Sequence, residues 1–184
     1  NDRSLVMTSS FTNMVLAGRA LGGSLETCAE RAHGLARAAA GLLQTRADAL
    51  NAVARSGFGS VVYLGSGCRL GSAREAALKM LEMNAGEVFT FAESYLGFRH
   101  GPMSAIRPDT LVGAFLSSDP LVRAYERDVL AELDRKGLGS GRVIVGVGVA
   151  LPGGAVAGHR LRQPRGWGGE RGAAPPAIRS RLST

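Results

Sequence analysis

Ser60-Val61-Val62-Tyr63-Leu64-Gly65-Ser66-Gly67 decides the fold. Its first five residues are rich in β-branched and aromatic types, which suit a pleated, buried strand. Two glycines then stop it in a tight turn. Ser72 to about Asn84 follows as a helix, so the unit reads strand, turn, helix. Working outward, Val88–Phe91 reads as a short strand and Thr110–Ser117 as a buried one. Leu121–Lys136 reads as an amphipathic helix ended by Gly137, and Arg142–Val149 as a further strand. Upstream, Leu25–Arg55 reads as one or two amphipathic helices, and Phe11–Leu21 as an apolar helix closed by Gly22-Gly23-Ser24. Leu5-Val6-Met7 reads as a strand tip, with Thr8, Ser9 or Ser10 as the helix N-cap behind it. Strands alternating with helices predict an α/β fold, a parallel sheet with helices on both faces. Ligands in such sheets bind past the carboxyl ends of the strands, here the loops after Leu64, Phe91 and Met7.

The chain has 184 residues, with 22 Lys+Arg against 15 Asp+Glu and a net charge of +7. This length suits one domain or slightly more. Cys28 and Cys68 lie far apart without a Cys-x-x-Cys spacing, so reduced thiols in a cytoplasmic setting are expected rather than a disulfide scaffold or thiolate zinc site. No run approaches about 18 apolar residues, so no membrane span is expected. The opening Asn1-Asp2-Arg3-Ser4 shows neither a start methionine nor a signal-peptide pattern, which suggests a chain that begins mid-protein. Charge is uneven: residues 151–184 carry +5 of the total, with four of the seven prolines and the single Trp167. That segment has no helical or strand period and is expected to be disordered. A flexible tail, a basic arm and an out-of-frame translation all fit; the abrupt change at Leu151 favours the last. Nucleic-acid binding is not expected, because the arginines lack interleaved aromatics for stacking.

The helix after the turn holds the densest chemistry. Glu75, Lys79 and Glu82 are spaced i, i+4, i+7 and share one face, with Ala73, Ala77, Met80 and Asn84 opposite. A carboxylate there suits a general base, and the ammonium suits a sugar oxygen or phosphate. The same residues also fit a solvated face, with Ser72-Ala73-Arg74-Glu75 as a capping box and Glu75–Lys79 as an ordinary i,i+4 pair. Gly65-Ser66-Gly67 could offer backbone N–H groups to an anion, or be only a tight turn. Phe98-Arg99-His100-Gly101-Pro102 places a histidine in a turn, where it could shuttle protons or be structural. No two histidines have metal-ligand spacing, and neither a metal nor an organic cofactor is expected.

Three segments together resemble one family. They are Arg3–Thr12 (RSLVMTSSFT), Tyr63–Val88 (YLGSGCRLGSAREAALKMLEMNAGEV) and Gly97–Ser104 (GFRHGPMS). The pattern resembles the SIS (sugar isomerase) superfamily, and within it the tagatose-6-phosphate ketose/aldose isomerase and galactosamine-6-phosphate deaminase/isomerase branch. The resemblance implies an αβα sandwich of flavodoxin-like type, with five parallel strands in each of two lobes. It implies a homodimer acting on a phosphorylated hexose or amino-hexose. Glu82 matches the carboxylate that moves the proton between C1 and C2. His100 matches the histidine, given across the dimer, that assists ring opening. Glu75 and Lys79 match neighbouring polar site positions, and Thr8, Ser9 and Ser10 match a substrate-contacting segment; Ser66 is the further binding candidate, in the turn.

The departures are specific. Residues 1–43 match only the end of a first lobe, residues 44–150 a second lobe, and residues 151–184 nothing. The Ser/Thr-rich phosphate-holding stretch is absent, and Met103 stands where relatives commonly carry lysine. Weak or no turnover is therefore expected of this chain alone. Rival readings are a non-catalytic sugar-phosphate-binding module and an inactive truncated homologue.

Overall fold

The structure, a computed structural model, describes residues 6, 7 and 9–148. The expectations for Thr8 and for residues 151–184 lie outside them. In chain order the elements are α1 (Ser10–Leu21), α2 (Leu25–Arg55), β1 (Ser60–Gly65), α3 (Arg69–Met83), β2 (Phe89–Glu93), α4 (Tyr95–His100), a 3-10 turn (Pro102–Ala105), β3 (Thr110–Phe115), α5 (Pro120–Lys136) and β4 (Gly141–Val145). The described strands form one four-stranded sheet in the order β2-β1-β3-β4, every pair parallel. The α/β class is as read from the sequence; the sheet has four described strands where the resemblance implies five.

Side chains alternate across the sheet and build two cores. Val62, Leu64, Val112, Ala114 and Ile144 face Tyr95 and Phe98 of α4, Met103, and Val129, Leu130 and Leu133 of α5. Val61 and Leu111 face Val53 at the end of α2 and Met80 of α3. Thr90, paired in register with Val61, donates its hydroxyl to the Ala77 carbonyl of α3 at 3.0 Å. Thus α3 and the end of α2 cover one face, and α4 and α5 cover the other. Val61, Val62, Leu64 and Val112 are all 0% exposed, and each such side chain contributes roughly 1.5–3 kcal/mol.

Two local expectations are corrected. The helix after β1 begins at Arg69, not Ser72, so Ser72 lies inside it and is no capping residue; the N-cap position is Cys68, without a side-chain bond. Gly67 at φ 55° turns the chain at once, and the Ser66 and Gly67 carbonyls take the N–H groups of Arg69 and Leu70 at 3.1 Å each. His100 is not in a turn but ends α4. That helix is short and contains Gly97, so it left no periodic signal. Leu25–Arg55 is one continuous helix, and the expected lobe boundary at residue 43 falls within it.

The β1–α3 turn sets the frame. A Cβ on Gly65 would collide with the Arg69 carbonyl oxygen, a backbone atom that cannot swing aside. Gly65→Ala is expected to destabilise the fold by about 1–3 kcal/mol, read as a lower urea midpoint with an unchanged slope. Wild-type stability in that variant would contradict the close packing of α3 on β1.

Candidate functional site

The stripe on α3 is built as its spacing predicts. Ala73 and Ala77 are buried against the sheet, which turns Glu75, Lys79 and Glu82 outward. Lys79 Nζ lies 2.8 Å from Glu82 Oε2 and 3.5 Å from Glu75 Oε1. The side chains are partly exposed, at 22% for Glu75, 27% for Lys79 and 38% for Glu82. The hydrogen bond to Glu82, helped by the Glu75 charge, holds the Lys79 ammonium above its ordinary pKa. So a fixed cation sits between two carboxylates, one of which can accept a proton while the ammonium steadies an oxygen beside it.

The remaining candidates are spread out. Ser66 lies in the turn ahead of α3, about 20 Å along the helix direction from Glu82. Ser9 and Ser10 lie at the start of α1, on a helical arm rather than on the sheet; Ser10 Oγ contacts Met7 Sδ at 3.4 Å. His100 is exposed at the end of α4. Because α3 and α4 cover opposite faces, one chain carries Glu82 and His100 on opposite sides of its sheet. The structure therefore assembles Glu75, Lys79 and Glu82, and it does not bring His100 to them within one copy.

Several residues that hold the His100 helix were not found from sequence. Glu93 Oε1 accepts the Ser94 N–H at 2.7 Å and the Ser94 hydroxyl at 3.1 Å. Gly97 makes room for it, since a Cβ there would lie 2.6 Å from that oxygen. At the other end Arg99 forks onto α5, to Asp128 at 2.9 Å and Glu132 at 2.7 Å. Glu132 also pairs with Lys136 at 2.6 Å, and these partners, Lys136 first, hold its carboxyl below the usual range. Ser94 three residues before Gly97, with Arg99 beside His100, was the available signal; the α5 partners needed the fold.

The loop after β3 was also passed over. The chain leaves β1 toward β2 and β3 toward β4, so the topological switch lies between β1 and β3. There Arg69 Nη2 donates to Ser118 Oγ at 3.3 Å, joining the two loops. The fully buried Glu126 accepts the Ser117 N–H at 2.6 Å. Burial, and then the Glu126 charge, push the Tyr95 phenol up. The α3 stripe runs away from this crevice along the outer side of the helix, since α3 returns antiparallel to β1.

Glu82→Gln removes the first cause of the Lys79 shift. The Lys79 midpoint, followed by NMR of its ε-carbon, is expected to fall toward the ordinary lysine value. An unchanged midpoint would show that the Lys79–Glu82 contact does not persist in solution.

The comparisons agree on one relationship. No family model matches the chain. It is 40% identical over 136 residues to the Escherichia coli D-galactosamine-6-phosphate deaminase AgaS, a match covering 73% of this chain and 35% of that protein. It is 40% identical over 139 residues to the deaminase AgaS of Shewanella sp. (strain ANA-3), covering 73% and 34%. Among solved structures, a Clostridium novyi NT protein provisionally named tagatose-6-phosphate ketose/aldose isomerase aligns with TM-score 0.66 and 35% identity, over 70% of this chain and 33% of that one. Thermotoga maritima glucosamine-6-phosphate deaminase aligns with TM-score 0.60 and 26% identity, over 80% and 45%. The chain spans about a third of the length of the curated relatives it matches. With its parallel sheet and its identity to these relatives, the chain belongs to the SIS superfamily, among homologues of the galactosamine-6-phosphate deaminases and tagatose-6-phosphate ketose/aldose isomerases.

Proposed function

We propose that this chain is the proton-transfer portion of an aldose/ketose isomerase or deaminase-isomerase acting on a hexose or amino-hexose 6-phosphate of the tagatose or galactosamine type. The observation that carries the reading is Glu82, partly exposed and paired at 2.8 Å with Lys79 on the outer face of α3. In the open-chain substrate the carboxylate of Glu82 takes the proton from C2. The C2 electrons move into a C1–C2 double bond, giving an enediol or enolamine. Glu82 then returns the proton to C1, leaving the ketose or its imine. In the deaminase variant water adds to the imine carbon and ammonia leaves. Lys79 steadies the sugar oxygens through charge-assisted hydrogen bonds, and Glu75 holds Lys79 in place.

Ring opening falls to His100. One copy carries it on the opposite face of the sheet from Glu82, so the reading requires a homodimer in which the partner copy supplies the imidazole. The compartment fitting this chemistry and the two free thiols, Cys28 and Cys68, is the cytoplasm. Among the described residues no helix is long and apolar enough to cross a membrane.

The test uses a full-length AgaS-type protein whose matching portion is replaced by this chain. Glu82→Gln is expected to lower galactosamine 6-phosphate turnover about 10²–10⁴-fold while substrate binding persists. Full turnover in that variant would refute the assignment. Mixing Glu82→Gln chains with His100→Asn chains is expected to restore part of the activity, because mixed dimers hold one intact pair. No recovery would remove the two-copy arrangement. Binding of sugar phosphate without any turnover by the unmutated assembly would favour the non-catalytic module instead.

A further inference from the structure

We propose that Glu132 is the positioning residue for His100, tying the chain on both sides of the histidine to α5 so that the imidazole is presented in one place. The proposal rests on the reading that His100 assists ring opening. α4 has six residues, too few to hold itself by helix propensity, so its placement comes from anchors. Phe98, at 0% exposure, is its last buried side chain, and the next along the chain is Met103, at 6%. Residues 99–102 between them are not buried, and His100 is exposed. The imidazole is therefore carried on a short bridge between two anchors.

Glu132 spans that bridge. Its Oε2 lies 2.7 Å from Nη2 of Arg99, the residue before His100. Its Oε1 accepts from Lys136 Nζ at 2.6 Å. The same ammonium lies 3.8 Å from Sδ of Met103, three residues beyond His100. Both flanks of the histidine thus lead to one carboxylate. The neighbouring acids reach one flank only: Asp128 meets Arg99 at 2.9 Å, and Glu93 acts at the start of α4. The Glu132 side chain is 15% exposed against 53% for Asp128, so water and salt screen it less. Bonded by Lys136 and faced by Arg99, its carboxyl is held below the usual range, and its charge persists through neutral pH. Two cations converge on this one anion. Without its charge they would face each other and push the bridge off α5.

Glu132→Gln keeps the size, removes the charge, and turns an N–H group toward one of the two donors. In this chain the amide hydrogen of His100 is expected to exchange at least tenfold faster in that variant, while those of β1 and β3 keep their rates. Unchanged exchange at His100, or equal acceleration throughout the sheet, would overturn the proposal whatever the fate of the chemistry. Turnover of galactosamine 6-phosphate, with this chain in place of the matching portion of an AgaS-type protein, gives the second readout. Glu132→Gln is expected to lower kcat at least tenfold with KM unchanged, and Glu132→Asp, which keeps the charge, is expected to retain more of it. Added to His100→Asn, Glu132→Gln is expected to cost nothing more, because both act on one group. Losses that multiply, or full turnover in Glu132→Gln while His100→Asn is impaired, would overturn this proposal alone. Full turnover in His100→Asn would refute the ring-opening reading, and this role with it.

Discussion

The contact between Gly65 and the Arg69 carbonyl fixes where α3 begins and hence which way its side chains point. With no Cβ at residue 65 the helix starts directly off the end of β1. Its phase then places Ala73 and Ala77 on the sheet and Glu75, Lys79 and Glu82 outward. A start delayed by one residue would rotate the stripe by about 100° and turn charge into the core. The chemistry proposed for the helix thus depends on a packing constraint several residues before its first functional group.

Much of this was legible because it is local. The β-branched run at Ser60–Gly65 and the alternation of small and charged residues on α3 specify one strand and one helix face without knowledge of the rest of the fold. The C-terminus of α5 was equally plain, since Gly137 takes the left-handed conformation, at φ 67°, that closes a helix. What failed was short or non-local. The helix at Tyr95–His100 has six residues and survives because Tyr95 and Phe98 are fully buried, which no period reveals. The Arg99 fork joins residues 29 positions apart, and the Arg69–Ser118 bond joins loops whose adjacency follows from strand order. The capping-box reading of Ser72 misled because the same four residue types occur inside a helix that tertiary packing starts earlier.

The sheet itself organises the functional argument. By carrying α3 on one face and α4 on the other, it separates the carboxylate from the imidazole within a single copy. In the proposed function a second copy therefore supplies the histidine.

The proposed role of Glu82 is to carry a proton between adjacent carbons of a sugar phosphate. The most direct measurement follows tagatose 6-phosphate by NMR in deuterium oxide, with this chain in place of the matching portion of an AgaS-type protein. Deuterium is expected to enter at C1, and that exchange is expected to be lost in Glu82→Gln while the ligand still binds. Exchange at the wild-type rate without the Glu82 carboxylate would contradict it.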